Sequence, residues 1–245
     1  MSHNQHNHPL VLIGGARPNF MKLAPLAWEL KRRKKTFSIV NTGQHFSSSM
    51  SEQFIREFDL HIDHVLTPSD VSVVQQITDI MKGLEVILRN IQPRAVIVVG
   101  DVNSTLAGAL VANKLGITLA HVEAGLRSHN RVMPEEHNRV MVDHISDLLF
   151  VTQEEGKANL HAEGITEGIH VVGNIMVDTL THFEQKVSHT GERFYFLTLH
   201  RAENVDCREV FSDILDALTV IAQDEKIYLP LHPRTKLMAE RFNLI

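Results

Sequence analysis

Cysteine is almost missing: Cys207 stands alone among 245 residues, which excludes an intramolecular disulfide and any cysteine-based zinc cluster. Aromatic residues are sparse at 6%, and neither sign of charge dominates, with 24 Lys+Arg against 29 Asp+Glu and a formal charge of −5. That mild acidity excludes a nucleic-acid binder held by a strongly basic face. No apolar run approaches the roughly 18 residues that a membrane span needs. The polar, His-rich start, residues 1–9, is unlike a signal peptide and reads as a tail, with His3, His6 and His8 as adventitious metal binders at most. What remains, 43% apolar and 22% charged, is the balance of a soluble α/β enzyme with room for one large or two smaller domains. A cytoplasmic location is the expectation.

Short apolar runs alternate with longer amphipathic stretches. Strands are expected at 10–13, 37–40, 95–99 and 117–122, and helices at about 18–34, 48–58, 71–90 and 103–115. Uninterrupted β-branched runs between helices are what a parallel sheet covered on both faces requires, so the first unit, 10–173, reads as a doubly wound, Rossmann-like domain. Right-handed crossovers would place the strand ends at one edge, where ligands bind. A second unit is expected from 174 to 245, with a helix at 175–187, a strand at 194–199, a helix at 205–222 and a strand at 227–231. Two or three strands cannot complete a sheet.

The strand ends carry the polar motifs. Gly14-Gly15-Ala16-Arg17-Pro18-Asn19-Phe20-Met21-Lys22 permits a sharp turn into a helix whose first N–H groups attract anions. Arg17 could fork onto phosphate oxygens and Lys22 add a charge; alternatively the glycines only close the turn and the cations are solvated. The segment is neither Gly-x-Gly-x-x-Gly nor a Walker loop, which disfavours nicotinamide and P-loop chemistry. Asp101 ends one strand, as a helix cap or as a functional carboxylate. Glu123 ends the next, paired with Arg127 or available for acid–base work. Glu135 and Glu136 open a helix, where acidic residues also complement its dipole. His137 and His144 lie two turns apart, too far for the one-turn pair of a zinc helix, so no metal is expected. His200 breaks a later strand, to bind phosphate or to be satisfied by Glu203.

Six segments agree in order and spacing: Gly15 to Leu26, Thr42-Gly-Gln-His45, Val99-Gly-Asp-Val-Asn-Ser-Thr105, His121-Val-Glu-Ala-Gly-Leu-Arg-Ser128, Met133-Pro-Glu-Glu-His-Asn-Arg139 and His200-Arg-Ala-Glu-Asn204. With them the chain resembles the non-hydrolysing UDP-N-acetylglucosamine 2-epimerases along nearly its whole length. The resemblance implies a GT-B-like fold of two Rossmann-like domains and a homodimer in the full-length family. It also implies a UDP-sugar substrate and a metal-free, nicotinamide-free interconversion of UDP-N-acetylglucosamine and UDP-N-acetylmannosamine, in which UDP is eliminated and added back.

By match to the motifs, Asp101, Glu123, Glu135 and His200 would be the catalytic set. Arg17, Lys22 and His200 would hold the nucleotide phosphates, with Asp101 and Glu123 also touching substrate. Gln44 and His232 fall where the regulated members have an allosteric site, although no Arg stands at 67–70. Asn19 stands where many bacterial members carry Glu. Family members run about half as long again, so a second domain incomplete at 245 is expected. The alternatives are a hydrolysing epimerase that releases N-acetylmannosamine, and an inactive truncated fragment or binding module.

Overall fold

Short apolar runs such as Leu10–Gly14 and Ala95–Val99 become strands of one seven-stranded parallel sheet. The computed structural model describes residues 8–44, 54–184 and 191–244. The chain divides into two compact units, Met1–Lys186 and Val187–Ile245. In the first, the elements follow as β1 (Leu10–Gly14), α1 (Arg17–Arg32), β2 (Phe37–Asn41), β3 (His64–Val65), α2 (Val73–Ile91), β4 (Ala95–Val99) and α3 (Asn103–Lys114). They continue as β5 (Thr118–Ala124), α4 (Pro134–Ile145), β6 (Leu148–Val151), α5 (Glu154–Ala162), β7 (Ile169–Val171) and α6 (Ile175–Glu184).

The strand order is β3-β2-β1-β4-β5-β6-β7, with every pairing parallel. The order reverses between β1 and β4, so the crevice of this sheet opens beyond Gly14 and Val99. Strand alternation supplies both faces. Val11, Ile13, Val96 and Val98 pack with Ile80, Leu84 and Leu88 of α2, Leu106 and Val111 of α3, and Val142 of α4. Leu12, Ile39 and Val99 face the other way, onto Phe20, Leu23, Ala24 and Ala27 of α1. Ser72 caps α2 by accepting from the Gln75 N–H at 3.1 Å. The doubly wound fold follows from sequence as expected.

The expected boundary after 173 is corrected to 186/187. Ile169–Val171 is the last strand of the first sheet, and α6 folds back onto α1. There Thr179 Oγ1 donates to the Met21 carbonyl at 2.6 Å, and His182 stacks on Trp28 with ring centroids 4.0 Å apart. An apolar helix face finds its partner in the sheet layer that precedes it. Of the helix expected at 48–58 only 54–58 are described, with 54–57 helical; most of it, like His45, His3, His6 and nearly all of the expected tail, lies outside the described residues.

The second unit contains β8 (Tyr195–Phe196), α7 (Ala202–Val205), α8 (Arg208–Ile221), β9 (Ile227–Tyr228) and α9 (Pro233–Phe242). Its two strands form a parallel pair over a small core of Leu199, Val205, Phe211 and Ala239. Both strands are shorter than expected, because a strand with one partner and an open face has little to extend it; Phe196 is 65% exposed. The helix expected over 205–222 is α8, and the one-turn α7 precedes it. Between them Asp206 is drawn out to the Arg234 guanidinium, with Nε at 2.9 Å.

Candidate active site

The turn after β1 is held by one amide. Asn19, 2% exposed, accepts from the Gly15 and Ala16 N–H groups at 3.1 and 3.0 Å. Its Nδ2 donates to the Val99 carbonyl at 3.2 Å, tying the ends of β1 and β4 across the switch point. Gly15 is required for space: a Cβ there would stand 1.9 Å from Thr42 Oγ1 and 2.3 Å from Ser104 Oγ. Those hydroxyls are 2.6 Å apart, and Gln44 Oε1 accepts from Ser104 N at 2.9 Å and Ser104 Oγ at 2.7 Å. Gln44 thus caps α3, whose own N-cap, Val102, has no side chain to do so.

Asp101 follows the left-handed Gly100 (φ +70°) at the end of β4. It does not cap α3: its carboxylate accepts from Arg139 Nη2 at 2.6 Å, and its carbonyl accepts from Asn138 Nδ2 at 2.8 Å. Glu123, at the end of β5, is also left-handed (φ +72°), at a shift in the β5–β6 register between Val122 and Ala124. A non-glycine residue in that conformation costs roughly 1–3 kcal/mol and marks functional sites more often than others. The Glu123–Arg127 pair considered from sequence is not formed. Glu123 pairs with Lys22 instead, and both side chains are mostly buried. The two carboxylates therefore occupy adjoining strand ends, each with its own cation, and Glu123 Oε2 lies 3.5 Å from where a Gly100 Cβ would stand.

Arg139 reaches further, donating through Nη1 to Glu136 at 2.9 Å. Glu136 also accepts from Ser128 N and Oγ, both at 2.9 Å, and from His129 N at 3.0 Å. Burial pushes the Glu136 carboxyl up, but these donors outweigh it and hold its pKa at about 2. The group therefore stabilises the fold above its ordinary value of 4.5, and that contribution is lost as pH falls from 4.5 toward 2. Glu136→Gln should remove on the order of 1–3 kcal/mol at neutral pH and much less near pH 3. Urea unfolding of both proteins at the two pH values measures this; an equal gap at both would contradict it.

Glu135, one residue earlier, is half-buried in the first turn of α4. Arg17 is the first residue of α1 and also half-buried. In the second unit, His200 and His232 come together with ring centroids 5.4 Å apart, and His232 Nδ1 accepts from Arg234 N at 3.2 Å. Glu203 lies 3.5 Å from Arg201, an ion pair in which His200 takes no part. His137 and His144 bond to separate backbone carbonyls, of Arg131 and Val140. Among the described residues no three metal-type side chains cluster, and no helix is long and apolar enough to cross a membrane. Sequence reasoning passed over Arg139, although it stands three residues after Glu136 on the same helix face.

A doubly wound sheet with carboxylates and cations at its switch point, followed by a second α/β unit, defines the class: a GT-B-like protein. Acinetobacter baumannii MurG shares the fold, with a TM-score of 0.52 at 12% identity over 95% of this chain and 70% of that one. The family model for UDP-N-acetylglucosamine 2-epimerase matches residues 28–243. A Methanococcus maripaludis UDP-N-acetylglucosamine 2-epimerase homolog is 41% identical over 96% of this chain and 68% of its own. The crystal structure of Methanocaldococcus jannaschii UDP-GlcNAc 2-epimerase in complex with UDP-GlcNAc and UDP superposes with a TM-score of 0.81 at 40% identity, covering 96% of this chain and 69% of that one. The chain belongs to the UDP-N-acetylglucosamine 2-epimerase family.

Proposed function

We propose that the protein interconverts UDP-N-acetylglucosamine and UDP-N-acetylmannosamine without releasing the sugar. The observation that supports this most is the pair Asp101 and Glu123. They stand at the adjoining ends of β4 and β5, next to the switch point, each fixed by its own cation, with side chains 27% and 14% exposed.

Inverting C2 requires that its proton leave from one face and return to the other. In the first half, the C2–H and C1–O bonds break and UDP departs with the C1–O electron pair, leaving a C1=C2 double bond in a 2-acetamidoglucal. In the second half, UDP adds back at C1 while a proton is delivered to the opposite face of C2. Two faces call for more than one proton-transfer group, which Asp101, Glu123 and Glu135 supply; each positioned group contributes roughly 10²–10⁴-fold. The departing diphosphate needs cations and donors, the role given to Arg17 and His200. Lys22, expected on the phosphates, serves in this reading as the counter-charge of Glu123. No metal or nicotinamide enters either half.

The test is incubation with UDP-N-acetylglucosamine in D2O, followed by NMR. The expected outcome is UDP-N-acetylmannosamine, with deuterium at C2 of both epimers and no free sugar. Free N-acetylmannosamine would make the enzyme a hydrolysing one, and no epimer at all would overturn the reading.

A further inference from the structure

His121 lies two residues before Glu123 on β5 and is completely buried. Both ring nitrogens face acceptors: Nδ1 is 2.6 Å from Asp143 Oδ1, and Nε2 is 2.8 Å from the Gly100 carbonyl. A carbonyl has no proton to give, so Nε2 donates. Asp143 is held as a carboxylate: burial works against its charge, but the His121 ring and the Arg127 guanidinium overcome this and lower its pKa. Its other oxygen accepts from Arg127 Nη1 at 2.7 Å and from the Gly125 N–H at 3.0 Å. The ring is thus held on both sides, by the Asp143 carboxylate at Nδ1 and by the Gly100 carbonyl at Nε2.

Ion pairs continue from Asp143. Arg127 forks onto Glu163 with two bonds of 2.7 Å, and the side chains of His121, Asp143 and Arg127 are at most 1% exposed. Replacing such a chain by apolar residues often costs a fold nothing, so stability alone does not explain it. Its contacts do. His121 fixes the carbonyl of Gly100, the left-handed residue just before Asp101. Asp143 fixes the N–H of Gly125, left-handed at φ +77° and two residues after Glu123. One buried carboxylate thereby sets the turns that present both candidate catalytic groups.

We propose that His121, held in place by Asp143, is a positioning residue that sets Asp101 and Glu123 at their working separation. This deepens the epimerase reading and rests on it. An error of about an ångström in such groups costs on the order of 10²-fold in rate.

Two measurements test it. In the full-chain protein labelled with 15N-histidine, the His121 ring signals, assigned by their loss in His121→Gln, should shift in Asp143→Asn, since that ring bonds directly to Asp143. His121 ring signals unmoved by Asp143→Asn would overturn the proposal, and this readout needs no turnover, so it stands apart from the epimerase reading. In kinetics, Asp143→Asn should lower kcat on the order of 10²-fold while KM for UDP-N-acetylglucosamine and UDP affinity by calorimetry stay near wild type. His121→Gln, which keeps a donor toward Gly100, should fall between the two. Unchanged kcat in Asp143→Asn, or losses of kcat and UDP affinity in proportion to lost folded protein, would reduce the pair to a structural role.

Discussion

Asp101→Asn should lower the epimerisation rate by roughly three orders of magnitude while leaving the fold intact. The amide oxygen of Asn can still accept from Arg139 Nη2, now 2.6 Å from the carboxylate. Arg139 also keeps its bond to Glu136, and Asn138 keeps the backbone carbonyl at 101. The shape of the strand end is therefore preserved, and what disappears is the ability to take and return a proton. The measurement is the rate at which UDP-N-acetylmannosamine forms from UDP-N-acetylglucosamine by NMR, beside circular dichroism and thermal unfolding. A variant of ordinary stability with residual epimer formation is the expected result. Activity within tenfold of wild type would remove Asp101 from proton transfer and leave it as a partner of Arg139.

The second large effect is steric. Gly15→Ala places a methyl group 1.9 Å from Thr42 Oγ1 and 2.3 Å from Ser104 Oγ, far inside contact distance. Both hydroxyls are fixed: they bond to each other at 2.6 Å, and Ser104 is also bound to Gln44. The methyl must displace the β1–α1 turn, with Arg17 and Asn19 behind it. Overpacking of this kind costs about 3 kcal/mol, or a Tm lower by roughly 6–12 °C for a domain of this size. Removing the obstructing oxygens tests the cause. In a Thr42→Ala, Ser104→Ala background the nearest remaining neighbour, Ser104 Cβ, is 3.2 Å away. There Gly15→Ala should cost less than about 1 kcal/mol. The same penalty in both backgrounds would place the requirement for glycine elsewhere.

The legible part of this protein was the part written in local patterns. Runs such as Leu10–Ile13 and Ala95–Val99 specify buried parallel strands by composition alone, and the polar residues that end them mark the functional edge. Asp101 and Glu123 were singled out this way as candidates. Their partners were not, because nothing local states that Lys22 meets Glu123 rather than a phosphate, or that Arg127 turns to Asp143. Asp143 itself is inconspicuous within a helix, and only the fold brings it beneath His121. The boundary between the units was misjudged for a related reason: α6 follows a strand-like segment and a Gly-Asn turn, but its partner is a helix more than a hundred residues earlier. In the second unit, the pattern at 194–199 has the length of a strand, and the single neighbour available to it supports only Tyr195–Phe196.

The ties that assemble the site join residues far apart along the chain. Asn19 reaches Val99 across 80 positions, Lys22 reaches Glu123 across 101, and Arg139 reaches Asp101 across 38. Each requires closure of a long loop, whose entropy must be met before the contact forms, and contacts of this kind slow folding. A growing polypeptide has no Asp101–Arg139 pair before α4 has been synthesised, although β1, α1 and β2 already carry much of the apolar face of Leu12, Phe20 and Ile39. The Asp101–Arg139 tie is thus absent from every nascent chain that ends before α4. Over that interval the apolar strands β1 and β4 depend on rapid pairing with each other to stay out of contact with other molecules.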